Sequence, residues 1–234
     1  MEHKALTRTI ETRVHGRYLV RTPHTPPPWP ALFTFHGYAE DAEASLAAAE
    51  RIMDASSWLV VAVQALHPFY TKKQRVVASW MTRQDREFAI PDNISYVRSV
   101  VDAVLSEFAV TSLIVFSGFS QGVAMAYRAA AHIPAGGVIS LAGDVPADLA
   151  PPQRLPHVLI GRGLTDEWYT ELKMAADVAR LGELAAGVET AVFEGGHEWT
   201  DAFTETASSY LARLRTAPWH DARTRRDPGA IRER

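Results

Sequence analysis

Apolar residues recur along this chain in two alternating rhythms. Short solid runs appear at "ALFTF" (31–35), "WLVVAVQ" (58–64), 112–117, "GGVISLAG" (136–143), "PHVLIGRG" (156–163) and "VETAVFEGG" (188–196). Runs of this length, apolar at successive positions, predict strands covered on both faces. Between them the spacing switches to three and four. Val97, Val100, Val101, Val104, Leu105 and Phe108 share one helical face, as do Phe203, Ala207, Tyr210, Leu211 and Leu214. Further helices are expected over about 40–54, from the end of strand 112–117 to about 132, and over about 167–182.

Strands that alternate with helices from 31 to 215 predict an α/β fold, a mostly parallel twisted sheet with helices on both faces. The flanks break the rhythm. Residues 7–22 alternate and are rich in Thr, Val, Ile and Tyr, which predicts an opening antiparallel pair turning at His15-Gly16. The proline-rich 22–30 reads as a connector. Residues 65–92 mix aromatic and basic residues without a period and read as a long functional loop. Residues 1–215 are expected to form a single domain. The stretch 216–234, with two prolines and five arginines, is expected to be a C-terminal extension, with Trp219 as a candidate anchor.

Composition narrows the classes. A net charge of -3 gives no strong field for nucleic acid, and no nucleic-acid partner is expected. Cysteine is absent, which removes a thiol nucleophile and thiolate metal ligands. The N-terminus lacks an apolar signal core, and no apolar run is long enough to span a bilayer, so a cytoplasmic protein without a membrane span is expected. A homodimer stays open.

The candidate chemistry sits in "SGFSQG" (117–122), where a buried strand meets a helix. A serine between two glycines at such a junction fits a sharp turn that lifts its hydroxyl to a helix N-terminus. There the backbone N–H of Gln121 can stabilise an oxyanion. Ser120 needs a base and an orienting acid, in the order serine, acid, histidine, each after a strand. His197 follows the last strand and Asp166 the one before it; Asp144, a strand earlier, is the main rival acid, and Glu167, the neighbour of Asp166, is another. The second oxyanion donor is expected from the N–H of Tyr38, after His36-Gly37, while His36 itself reads as structural. Asp166 also reads as a helix N-cap.

In this order, "FHGYAED", "GFSQG", "GRGLTDEW" and "GGHEW" resemble the phospholipase/carboxylesterase family of α/β-hydrolases, which includes the acyl-protein thioesterases. The resemblance covers about 31–215. It implies an α/β-hydrolase fold, Ser120 as nucleophile, His197 as base, Asp166 as acid, and Tyr38 and Gln121 as oxyanion donors. Val123 departs from the family's second glycine, and Ala39 stands where a glycine is common. The expected activity is hydrolysis of small-molecule esters with small to medium apolar acyl groups. Thioesterase, peptidase-like and non-catalytic binding readings stay open. Trp80, Met81 and Trp168 are candidate substrate-binding residues, with Phe69, Tyr70 and Tyr169 as further apolar walls; Lys72, Lys73 and Arg75 are candidates for an anionic leaving group. No cofactor and no metal is implied.

Overall fold

A computed structural model describes residues 5–216. Trp219 and most of the expected extension therefore lie outside the described residues.

Seven strands form the central sheet: β1 (Tyr18–Arg21), β2 (Trp29–Phe35), β3 (Leu59–Val63), β6 (Val110–Phe119), β7 (Gly137–Leu141), β8 (Leu155–Gly163) and β9 (Ala185–Phe193). Their spatial order is β1-β3-β2-β6-β7-β8-β9. Only the β1–β3 pair is antiparallel. Every residue of β3 and β7 is buried. Because successive side chains face opposite ways, both sheet faces must be covered. The covering helices are α1 (Ala42–Glu50), α2 (Arg86–Glu107), α3 (Gln121–His132), α4 (Glu171–Leu184) and α5 (Asp201–Thr216).

The parallel arrangement positions the site. All parallel strands end at one edge, and β2, β6, β8 and β9 each open there into a loop carrying a candidate residue. The registers Phe35↔Gly118, Phe119↔Leu141, Leu141↔Gly161 and Gly163↔Phe193 bring those strand ends side by side.

Three expectations need correction. The antiparallel opening pair does not form. Residues 5–17 carry no strand and are exposed, and β1 pairs with β3 instead. His15-Gly16 is no hairpin turn. A Cβ on Gly16 would lie 2.0 Å from the Tyr96 ring, and the Tyr96 hydroxyl donates to the Arg17 carbonyl at 2.8 Å. The glycine thus serves a close approach to α2. Second, β2 begins two residues early, through Pro30. A register shift between Trp29 and Ala31 absorbs the missing N–H, the bulged setting in which a strand tolerates proline. Third, 65–92 is not one long loop. It contains an antiparallel hairpin, β4 (His67–Tyr70) with β5 (Val76–Ser79), and the start of α2. The first turn of α2 is exposed, and Pro91 lies inside the helix, so no apolar period announces it.

Candidate active site

The turn from β6 into α3 is as tight as its sequence implies. A Cβ at Gly118 would meet the Gly122 carbonyl oxygen at 2.4 Å, and one at Gly122 would meet the Phe35 carbonyl oxygen at 2.2 Å. Both obstacles are backbone and cannot step aside. Between them Ser120 adopts φ 51 and ψ -119, a strained conformation for a residue with a side chain. Its N–H donates to the Leu141 carbonyl at 2.9 Å, which ties the turn to the end of β7.

The strain places the Ser120 hydroxyl 2.8 Å from His197 Nε2. On the other side of the ring, Nδ1 lies 2.9 Å from Asp166 Oδ2 and 3.1 Å from Oδ1. With the ring proton on Nδ1, Nδ1–H donates to the carboxylate and Nε2 accepts from the serine. The Asp166 side chain is fully buried, while that of His197 is 25% exposed. The carboxylate also accepts the N–H groups of Trp168 and Tyr169, both at 2.8 Å to Oδ1. The N-cap reading of Asp166 is therefore half right. It caps a turn ahead of α4 and holds the imidazole as well.

The acid and histidine loops are stitched together. Thr165 donates its N–H and its hydroxyl to the Gly195 carbonyl at 2.9 and 2.8 Å. A Cβ at Gly163 would meet the Gly196 carbonyl oxygen at 2.3 Å. Gly195, at φ 141, lets the chain after β9 turn inward. The rival acid Asp144 stands apart from this network: it is exposed and pairs with Lys173 at 3.3 Å.

Tyr38 lies in the loop after β2. Ala39, at φ 59, bends that loop, and Gly37 N–H donates to Glu40 Oε2 at 2.7 Å. The loop is docked on β5 by Ala39 N–H to the Ala78 carbonyl and Ala78 N–H to the Glu40 carbonyl. The backbone N–H groups of Tyr38 and Gln121 donate to no acceptor among the described residues. The Tyr38 ring is largely exposed and stacks on Phe69. Burial holds the Glu40 carboxyl above its ordinary range, opposed by the Gly37 N–H. His36 is buried; Nδ1 donates to the Gly37 carbonyl and Nε2 accepts from the Ala65 N–H, and burial lowers its pKa. This bonding matches the structural reading.

A groove of about 560 Å³ opens above Ser120. Met81, Thr82, Arg83 and Arg86 line it from one segment, 142–147 from another, and Trp168, Tyr169 and Lys173 from a third. Met81 and Trp168 line it, and Trp168 is 74% exposed. Trp80 does not. It is fully buried, edge-on to Phe35, with its indole N–H donating to the His36 carbonyl at 2.9 Å. Phe69 and Tyr70 lie on the hairpin outside the groove, and Arg75 is paired with Asp41 at 2.8 Å. The groove's cations are Arg83, Arg86 and Lys173, not Lys72, Lys73 or Arg75.

Two further features escape the sequence. The Gln121 side chain bridges to β5 and the residues after it. Its Oε1 accepts from Trp80 N–H at 2.9 Å, and its Nε2 donates to the Met81 carbonyl at 2.8 Å. Buried Arg128 forks onto Asp148 through two bonds of 2.9 and 2.7 Å, pinning the 142–150 loop to α3 and lowering the Asp148 pKa. Val123, the departure from the family pattern, is buried against Gly143, where a Cβ would come within 2.6 Å of the valine Cβ. Gly143 leaves room for the Val123 side chain on α3.

No group of three or more histidine, aspartate or glutamate side chains suited to a metal ion occurs among the described residues. Nor is any described helix long and apolar enough to cross a membrane.

Comparisons with known proteins agree with this fold. Solved structures with the same fold include a carboxylesterase from Bacillus cereus, with 18% identity and a TM-score of 0.69, covering 85% of this chain and 94% of that one. A carboxylesterase from Mesorhizobium loti shares 22% identity at a TM-score of 0.65, covering 78% and 88%. SOBER1 of Arabidopsis thaliana shares 18% at 0.66, covering 79% and 98%. No curated protein sequence matches the chain. The family model described as Phospholipase/Carboxylesterase matches residues 22–213, and the chain belongs to that family.

Proposed function

We propose that this chain is a serine carboxylesterase acting through Ser120, His197 and Asp166. One observation carries the reading: an unbroken hydrogen-bonded line runs from the Ser120 hydroxyl through the imidazole to a buried carboxylate. A serine hydroxyl is a weak nucleophile until a base takes its proton, and a histidine is an effective base when an acid fixes its tautomer.

In the proposed cycle Ser120 Oγ attacks the ester carbonyl carbon as Nε2 of His197 takes its proton. Asp166 stabilises the imidazolium so formed. The carbonyl oxygen gains negative charge and is met by the N–H groups of Tyr38 and Gln121, an effect of about 3–4 kcal/mol per donor. The tetrahedral intermediate collapses, and the imidazolium gives its proton to the departing alcohol. Water then attacks the acyl-enzyme as His197 takes its proton; the bond from the acyl carbon to Ser120 Oγ breaks, the imidazolium returns the proton to Oγ, and the carboxylic acid product leaves. Met81, Val145, Pro146 and Trp168 give the groove apolar wall for a small to medium acyl chain.

A fluorophosphonate probe tests this directly. The wild type is expected to label at Ser120 and to hydrolyse short p-nitrophenyl esters, and Ser120→Ala to do neither. Labelling that survives Ser120→Ala sinks the assignment. A wild type that neither labels nor turns over any ester supports a non-catalytic binding protein.

A further inference from the structure

We propose that Arg83 and Arg86 receive an anionic group, a carboxylate or phosphate, carried by the ester at a point away from the scissile bond. The inference rests on the hydrolase reading and adds a substrate class to it. Both arginines line the groove that holds Ser120 and His197. Neither side chain has a hydrogen bond or ion pair among the described residues, although acids stand nearby. Each of those acids is turned to other work. Asp144 pairs with Lys173. Asp148, whose carboxylate feels the Arg86 charge, is held in the fork with Arg128. Asp85, between the two arginines in sequence, lines a separate depression with Glu11 and Asp92.

The groove walls therefore carry three cations, Arg83, Arg86 and Lys173, against one carboxylate, Asp144, in a chain whose net charge is -3. A cleft of one sign beside a reacting centre concentrates ligands of the other sign. Guanidinium is the side chain whose flat fork of donors fits a carboxylate or phosphate. The backbone beneath is fixed in advance: Asn93 donates to the Trp80 carbonyl at 2.8 Å and Gln121 to the Met81 carbonyl at 2.8 Å, just ahead of Arg83. Ordering two side chains on a rigid base costs less than ordering a loop.

Matched esters test the proposal. One pair puts charge on the acyl side: p-nitrophenyl valerate and the p-nitrophenyl half-ester of glutarate. A second set puts it on the alcohol: phenyl butyrate with its m-carboxy and m-phosphonooxy derivatives. The wild type is expected to prefer at least one anionic ester over its neutral match, and increasingly so as salt is lowered. Which one it prefers assigns the side and separates carboxylate from phosphate. In Arg83→Gln/Arg86→Gln that preference, as a ratio of kcat/KM values, is expected to fall about tenfold. Both side chains are exposed, so the double variant is expected to melt with the wild type. No anionic preference in the wild type, or the same preference in the double variant, overturns the inference alone. Turnover of no ester at all overturns the hydrolase reading and the inference with it.

Discussion

The amide oxygen of Gln121 accepts the backbone N–H of Trp80 at 2.9 Å, while its amide nitrogen donates to the Met81 carbonyl at 2.8 Å. One side chain thus completes a piece of sheet-like pairing between the serine turn and residues 79–81. It does so at the residue whose own N–H is proposed to meet the oxyanion. Gln121→Ala leaves the Trp80 N–H without its acceptor, at about 1–3 kcal/mol, while the Met81 carbonyl keeps the Ser79 hydroxyl at 3.1 Å. The expected result is a melting temperature lower by several degrees and a kcat reduced more than KM is raised. A variant with wild-type melting and wild-type kcat removes the bridge from the account.

The two candidate acids differ in contact and in burial. Asp166 is buried and bonded to His197; Asp144 is exposed and bonded to Lys173. Asp166→Asn keeps the shape but favours the wrong imidazole tautomer, and kcat for a neutral ester is expected to fall about a thousandfold to ten-thousandfold. Asp144→Asn removes only an exposed ion pair, a type worth about 0–1 kcal/mol. Its kcat is expected to stay within about tenfold of the wild type. Side-by-side ester kinetics decide it, and the reverse order of effects moves the acid to the loop after β7.

Ser120, His197 and Asp166 were legible because each follows a strand, and a parallel sheet brings all its strand ends to one edge. The glycines were legible for a related reason. Gly118, Gly122 and Gly163 sit where another backbone comes too close for a side chain. What stayed hidden depends on pairing between distant segments. Nothing local shows that 7–17 finds no partner strand while Tyr18–Arg21 pairs with β3, since register is a property of two strands together. Nothing local shows that Gln121 reaches residues 79–81, or that Arg83 and Arg86 turn to the groove while Arg75 turns to Asp41. Aromatic residues misled for the same reason. "SWMT" offers Trp80 and Met81 side by side, and only packing reveals that both are buried and that Met81 alone lines the groove.

Trp80 and Trp168 are expected to separate stability from binding. Trp80 is fully buried against Phe35 and His36, so Trp80→Ala opens a cavity at a cost of about 3–5 kcal/mol. Trp168 is exposed on the groove wall, so Trp168→Ala is expected to melt near the wild type but to raise KM for longer acyl esters. Thermal melts and a chain-length series of esters check both. A raised KM with unchanged stability in Trp80→Ala, or a large loss of stability in Trp168→Ala, reverses the assignment.

Glu40 carries a stability term with a definite sign. Its carboxyl is held above the ordinary 4.5, first by burial and also by the charge of Asp41, against the Gly37 N–H, His197 and Arg75. A carboxyl that keeps its proton longer when folded contributes stability below 4.5 and loses it as pH rises through the folded value. Glu40→Gln keeps an oxygen that can accept the Gly37 N–H but cannot ionise. The variant is therefore expected to gain on the wild type as pH rises from just below 4.5, and to hold that gain once both states of the wild type are ionised. Urea unfolding of the pair at about pH 4 and about pH 8 measures it. A stability difference that is flat with pH means the fold prefers neither form of the carboxyl and removes the burial effect; one that shrinks as pH rises means the ionised carboxylate is the form the fold prefers. The Gly37 N–H bond then outweighs burial in holding the loop that carries Tyr38.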